Sequence, residues 1–281
     1  MSISSSDAEV LTPPGPESPS ARGAAVRFGS PRFLRLLFFF ILLPALIFLT
    51  LYSPNIDGGI DLFHEGESLA PAFEASQGKL PFRDIYLQHG WGVNLLRTKL
   101  AFSLFGGQSV AAKRKLFFGI SGLLVPVTWV GVYVFLYSLF RRKVWILPAF
   151  LLLALGDVLV TDRHLLPFLS FALLVPAAHG RGRIAVFFAG IPAGAAIFYS
   201  LDTGIYAVVA GVAFLAASGI GDRSCSVAAL TKQAVLFCAG IIAGSLPFIL
   251  YLVPHGILDD FLQNAFLQLR YQREVWGLPA P

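Results

Sequence analysis

Between residues 57 and 67 the chain reads Asp57-Gly58-Gly59-Ile60-Asp61-Leu62-Phe63-His64-Glu65-Gly66-Glu67, four carboxylates and a histidine in a short run. A second polar cluster follows in Lys79-Leu80-Pro81-Phe82-Arg83-Asp84-Ile85-Tyr86-Leu87-Gln88-His89-Gly90. Carboxylates at this density suit removal of a proton from an acceptor hydroxyl, and neighbouring Arg or Lys suits neutralisation of a phosphate leaving group. Glu65 is the first candidate base and Asp61 the second, unless Asp61 only braces the loop. His64 can hydrogen-bond a phosphate, although a lone loop histidine is more often simply exposed. The planar fork of Arg83 matches a phosphate, or equally pairs with Asp84 or a loop glutamate. The plain alternative for the whole segment is a solvated loop whose charges keep it in water.

Farther along, Asp162, Arg163 and His164 stand together where an apolar block ends, and Asp202 stands in a similar place. Ionisable groups are costly at membrane depth, which favours a functional use of Asp162, as a ligand for a metal or an acceptor, over a mere marker of the water boundary. The cysteines, Cys225 and Cys238, show no metal-ligand spacing, and no metal set is evident. Gly58-Gly59 and Gly106-Gly107 lack the strand-to-helix setting of a nucleotide-phosphate loop and read as turns.

The elements that carry these residues are apolar. Of 281 residues, 56% are hydrophobic and 13% charged, with a mean hydropathy of +0.72. Soluble domains need about 25% charged residues, so the class is integral membrane. A net charge of +5 does not imply nucleic acid, because the basic residues cluster at the ends of apolar blocks, as topology signals do. Residues 1–30, rich in Ser, Pro, Gly and Ala, read as a disordered cytoplasmic tail. Phe33 to Tyr52 holds fifteen Leu, Ile or Phe residues. At about −0.4 kcal/mol each, they favour insertion by roughly 6 kcal/mol, giving an uncleaved anchor.

Six further apolar blocks, near 116–140, 144–160, 165–179, 184–201, 204–220 and 234–253, bring the expected bundle to about seven transmembrane helices. The expected fold is therefore an all-α integral membrane bundle over residues 31–256, with a large structured first external loop at 53–115. Within that loop, Glu67 to Gln77 reads as a short surface helix ended by Gly78. Small residues at Ala189-Gly190…Ala193-Gly194 and Ala239-Gly240…Ala243-Gly244 permit close helix packing. Trp91 to Phe105 carries Arg97 and Lys99 in its middle. Two central charges cost about 5–7 kcal/mol against roughly 3 gained, so it is placed at the surface or re-entrant. Arg22, Arg27, Arg32 and Arg35 put the amino terminus in the cytoplasm. Arg141-Arg142-Lys143, Arg181, Arg183, Arg223 and Lys232 then share that side. The first loop, Asp162, Asp202 and Asp259-Asp260 fall outside. Ile257 to Trp276 has the charge order of a surface helix, and the closing Gly277-Leu278-Pro279-Ala280-Pro281 looks like an interrupted linker, as in the front part of a longer protein.

The segment after the first helix resembles the first periplasmic loop of the C-type (GT-C) membrane glycosyltransferases, a superfamily that includes protein O-mannosyltransferases and aminoarabinose transferases. The matching residues are His64-Glu65-Gly66-Glu67, Gly78-Lys79-Leu80-Pro81-Phe82-Arg83-Asp84 and His89-Gly90. Leu104-Phe105-Gly106 resembles the close of that region, and Asp162 resembles the second acidic position of the external face. Where the superfamily commonly has Asp-Glu, this chain has His64-Glu65, so the resemblance leaves Glu65 and Asp61 both open as the base. It implies inverting transfer of a sugar from a polyprenyl-phosphate donor to an acceptor at the external face of a bacterial inner membrane. It also implies Asp162 as a further catalytic carboxylate, and His64, Arg83, Asp84 and His89 around the substrate; Arg163 joins them by its place beside Asp162 at the same block end. The sugar, acceptor and any cofactor stay open. Two other classes stand beside it. A transporter or flippase of lipid-linked saccharides would carry charges buried mid-helix, and only Asp157, near a block end, comes close. A non-catalytic membrane partner would keep the fold without the activity.

Overall fold

The computed structural model describes residues 31–53, 62–104, 109–156, 160–178, 183–221 and 226–275. The amino-terminal tail, Asp57, Asp61, the Phe105–Gly107 segment, Asp157, Arg181, Arg223 and the last residues from Trp276 lie outside them. Two compact units divide at Leu42/Leu43. The described part of the first is helix α1 (Pro31–Leu37) with a π-helical turn at Phe38–Leu42, where the Phe38 and Phe39 rings meet edge to face at 5.2 Å.

The second unit contains α2 (Leu43–Leu51), α3 (Leu62–Ser76), a π-helical turn (Gly92–Leu96), α4 (Arg97–Leu104), α5 (Val110–Leu139), α6 (Ile146–Leu155), α7 (Leu165–Ala178), α8 (Arg183–Tyr199), α9 (Leu201–Gly221), α10 (Val227–Leu252) and α11 (Leu258–Val275). No β-strand occurs among the described residues; the sole bridge described is the Pro81–Ile85 pair. Four stretches are long and apolar enough to cross a membrane: Phe33–Leu51, Gly122–Leu139, Leu201–Gly219 and Val227–Leu252. The apolar blocks expected near 144–160, 165–179 and 184–201 are also helical, but α6, α7 and α8 have only 10, 14 and 17 residues. At 1.5 Å per residue these reach about 15–26 Å, short of a hydrocarbon core of about 30 Å. The turn and helix over Gly92–Leu104, 5 and 8 residues that follow directly on one another, are likewise shorter than a membrane crossing requires.

Large apolar side chains cover the outside of these helices. On α6, Leu147, Leu151, Leu152 and Leu155 are exposed; on α10, Val235, Ile242, Leu246 and Leu250 are. In water such continuous rows would drive aggregation, whereas in lipid they are ordinary surface. Inside, α8 packs against α7, α9 and α10, and Phe237 fills the centre with Leu174, Val186, Ala189, Ala193 and Leu215. Glycine decides how closely α8 and α10 approach. A Cβ placed at Gly190, Gly194, Gly240 or Gly244 would stand 2.0–2.3 Å from a carbonyl oxygen of the opposite helix. The two small-residue motifs therefore interlock backbone to backbone, and Ser245 Oγ donates across the seam to the Gly194 carbonyl (3.3 Å). Prolines inside α5, α7, α8 and α10 are accommodated in helices that neighbours support on several sides.

Helix α3 departs from expectation at its start. It begins at Leu62, not Glu67, so His64, Glu65 and Glu67 are helical. Glu65, Ser68 and Ala72, at i, i+3 and i+7, form its buried face together with Pro71. A glutamate on that face hides the helical period from any reading that looks for apolar residues. The helix ends as expected: Gly78 adopts φ +88°, a conformation that favours glycine, and Lys79 reaches back to Glu74 at 3.1 Å.

Candidate functional site

One end of the bundle gathers the polar segments: α3, residues 77–91, the short turn Asp162–His164, the start of α9 and the start of α11. Its scaffold is the segment from Lys79 to Gly90. Leu80 N–H donates to Asp84 Oδ2 (2.8 Å), Asp84 N–H donates to the Leu80 carbonyl (3.0 Å) and Phe82 N–H to the Ile85 carbonyl (2.9 Å). This closed turn holds Phe82 at φ +70°, a conformation costly for a bulky residue, with its ring edge-on to Phe261 at 5.1 Å. Ile85 and Leu87 are buried against Ala72 and Leu95, which fixes the segment to α3 and the π-helical turn.

Arg83 spans to the other end of the sequence. Its Nε donates to Asp260 Oδ2 (3.0 Å) and its guanidinium also donates to the Gly256 carbonyl. Gln268 Nε2 donates to the Leu87 carbonyl at 2.6 Å. Thus Arg83 and Asp84, both expected near a substrate, are engaged here in holding the segment in shape. The partner of Arg83 is neither Asp84 nor a loop glutamate but Asp260, 177 residues away.

His89 has the more suggestive setting. Its Nε2 lies 3.6 Å from Glu67 Oε2, and both side chains are about 15% exposed. Asn94 holds the pair. Its Oδ1 accepts from the backbone N–H of His89 (2.7 Å) and of Gly90 (3.2 Å), and its Nδ2 donates to the Glu67 carbonyl (3.1 Å). Asn94 is wholly buried in the π-helical turn, a local under-winding frequent at functional sites. The His89 carbonyl accepts the Leu201 N–H (3.0 Å) and so caps the start of α9, whose first amides lack intrahelical partners.

Two glycines permit this contact with α8. A Cβ at Gly92 would fall 2.1 Å from the Tyr199 ring, and one at Gly90, whose φ is +126°, 3.1 Å from the Tyr199 carbonyl. Tyr199, seated on Gly92, donates its hydroxyl to Asp162 Oδ2 at 2.6 Å, a short charge-assisted bond to a carboxylate only 8% exposed. Next to it, Asp202 Oδ1 accepts from Ser200 Oγ (2.6 Å) and from Thr203 N–H (2.8 Å). Arg163 Nη1 stands 4.0 Å from the other Asp202 oxygen. Thr203 Oγ1 donates to the Arg163 carbonyl at 3.2 Å, and His164 Nδ1 turns inward to Thr161.

The polar end therefore joins the Glu67–His89 pair to the Tyr199-bound Asp162 and the neighbouring Arg163, and Glu65, 5% exposed, lies two residues before Glu67 on α3. Chemically, such a set can accept a proton, donate N–H bonds to an anion and orient a hydroxyl. Of the expected residues, Arg83, Asp84, His89, Asp162 and Arg163 lie on segments joined at this end, and Glu65 lies on the buried face of α3, two residues before Glu67. Asp61 lies outside the described residues, and His64 is described only as a position on α3. Glu67 as the partner of His89, Asn94 and Tyr199 were not singled out from sequence. Asn94 could have been noticed as the lone amide in an otherwise apolar run from Trp91 to Leu96. Among the described residues no three His, Cys, Asp or Glu side chains are placed to share a metal ion.

No family model matches this chain, and comparison with curated proteins and with solved structures gives no match either.

Proposed function

We propose that the protein transfers a sugar from a polyprenyl-phosphate donor to an acceptor hydroxyl, with the polar end on the external side of a bacterial plasma membrane. What supports this reading is the chain of contacts that joins the Glu67–His89 pair, through Asn94 and Gly92 against Tyr199, to the buried Asp162, with the buried Glu65 two residues before Glu67 on α3. In this reading Glu65 takes the acceptor proton as the acceptor oxygen bonds to the anomeric carbon. The anomeric carbon–phosphate oxygen bond breaks from the opposite face, inverting the centre, and polyprenyl phosphate leaves with the electron pair. His89 and Arg163 offer N–H groups to that phosphate, and Asp162, fixed by Tyr199, orients the acceptor. The amino terminus is cytoplasmic, and about seven crossings bring the two ends to opposite faces. The shorter helices α6, α7 and α8 cross with help from flanking turns and local thinning of the bilayer.

The test is transfer by the purified protein in lipid nanodiscs, offered radiolabelled polyprenyl-phosphate sugars and a mixed pool of hydroxyl acceptors. Product is expected from the native chain, with Glu65→Gln and Asp162→Asn each lowering the rate by about 100-fold or more, the scale of a lost base or orienting group. Transfer that survives both substitutions removes the assignment of these residues. Movement of intact donor across the membrane without transfer would support the flippase class instead.

A further inference from the structure

Helix α11 divides into three sectors. Ile257, at its threshold, and Phe261, Asn264 and Gln268 face the protein: Phe261 stacks on Phe198 at 4.9 Å, and Gln268 holds the Leu87 carbonyl. On one flank Leu262 and Phe266, four residues apart, are both more than half exposed. Beside it, on the side away from the protein, stand Asp259, Gln263 and Arg270, all exposed and polar, with the exposed Leu267 beyond Gln263. A helix on the surface of a soluble domain needs two sectors, an inner and an outer. A helix at the rim of a membrane protein meets protein, lipid and water at once and needs three.

What covers the apolar flank follows from where α11 begins. Ile257 N–H donates to the Leu252 carbonyl (3.1 Å) and Gly256 N–H to the Val253 carbonyl (3.0 Å). The φ of +64° at Gly256 turns the chain back there. So α11 starts against the last turn of α10, a 26-residue stretch able to cross the bilayer. The lipid-type row on α10, Ile242, Leu246, Leu250 and then Val253, runs out at that same end. Helix α11, with its apolar flank, therefore begins where that exposed row ends.

We infer that α11 lies in the membrane–water interface, with Leu262 and Phe266 in the acyl boundary and Gln263 toward water. Because its inner sector grips the segment 80–88 through Arg83–Asp260, Phe82–Phe261 and Gln268–Leu87, the bilayer surface sets the depth at which that segment sits. The inference depends on the membrane character of the bundle and not on sugar transfer.

The test uses the full chain in lipid nanodiscs, with Cys225 and Cys238 replaced by serine and a nitroxide placed singly at Leu262→Cys, Phe266→Cys or Gln263→Cys. Collision with dissolved oxygen and with a water-soluble nickel chelate is read by power saturation. At positions 262 and 266 oxygen access should exceed chelate access several-fold, and at 263 the order should reverse. Chelate access at 262 and 266 equal to that at 263 would mean water covers the flank. Shielding from both quenchers would mean a second copy or another protein covers it. Either result overturns the inference.

Discussion

Placing a methyl group in the α8–α10 seam tests the packing argument at its most constrained point. A Cβ at Gly244 would stand 2.0 Å from the Ile191 carbonyl oxygen and one at Gly240 2.0 Å from that of Phe187, whereas ordinary contact begins at 3.4 Å. Both neighbours are backbone, so no side chain can swing away. The helices must separate by about 1.4 Å or tilt by an equivalent amount, and a gap near 1 Å already forfeits up to half of each atom pair's dispersion energy. Gly244→Ala should therefore destabilise the protein by about 2–3 kcal/mol, at the upper part of the range for overpacking a tight core. The double substitution Gly240→Ala/Gly244→Ala should cost less than the sum of its parts, since the first methyl opens the seam for the second. Gly66→Ala is the control. A Cβ there meets nothing within 4 Å, and alanine is the better helix former by about 1 kcal/mol. Equilibrium unfolding in bicelles, read by steric trapping, gives the values. A loss below about 0.5 kcal/mol for Gly244→Ala, the level of an inconsequential surface change, would refute the close contact.

Three further outcomes follow from the polar end. Asn94→Leu leaves the amides of His89 and Gly90 without their acceptor and should cost about 2–5 kcal/mol, seen in the same unfolding measurement and as new protease cleavage within 79–91. Arg83→Met should lower global stability by no more than about 1 kcal/mol, because the pair with Asp260 is substantially exposed. It should nevertheless speed amide hydrogen exchange in both 80–88 and 256–264, and leave the α8–α10 seam unchanged. Tyr199→Phe removes the donor to a buried carboxylate and should cost about 1–3 kcal/mol in unfolding, with Asp162→Asn in the same background adding little.

The apolar blocks were legible because hydropathy needs only local composition, and the spacing Gly190-Gly194 and Gly240-Gly244 marked the seam for the same reason. Helix α3 was only half legible: Glu65 occupies a core-face position, so its first turn reads as loop until its burial is known. Long-range partners left no local trace. Nothing near Arg83 announces Asp260, and nothing near His89 distinguishes Glu67 from Glu65 as its companion. Asp162 stands out for the cost of an ionisable group at membrane depth, but its hydroxyl partner is Tyr199, 37 residues later. The polar segments are thus visible in the sequence one by one, and the contacts that join them come from the fold.

The side of the membrane that this end faces bears most directly on the whole account, because a lipid-phosphate sugar must be met where the acceptor lies. Gln77→Cys, beside Gly78 at the polar end, and Arg142→Cys, in the turn between α5 and α6, are both exposed. Each is treated in intact cells with a membrane-impermeant maleimide, in a background with Cys225 and Cys238 replaced by serine. The account predicts labelling at position 77 in intact cells, and at 142 only after the membrane is permeabilised. The reverse pattern would place His89, Asp162 and Glu65 in the cytoplasm and contradict it.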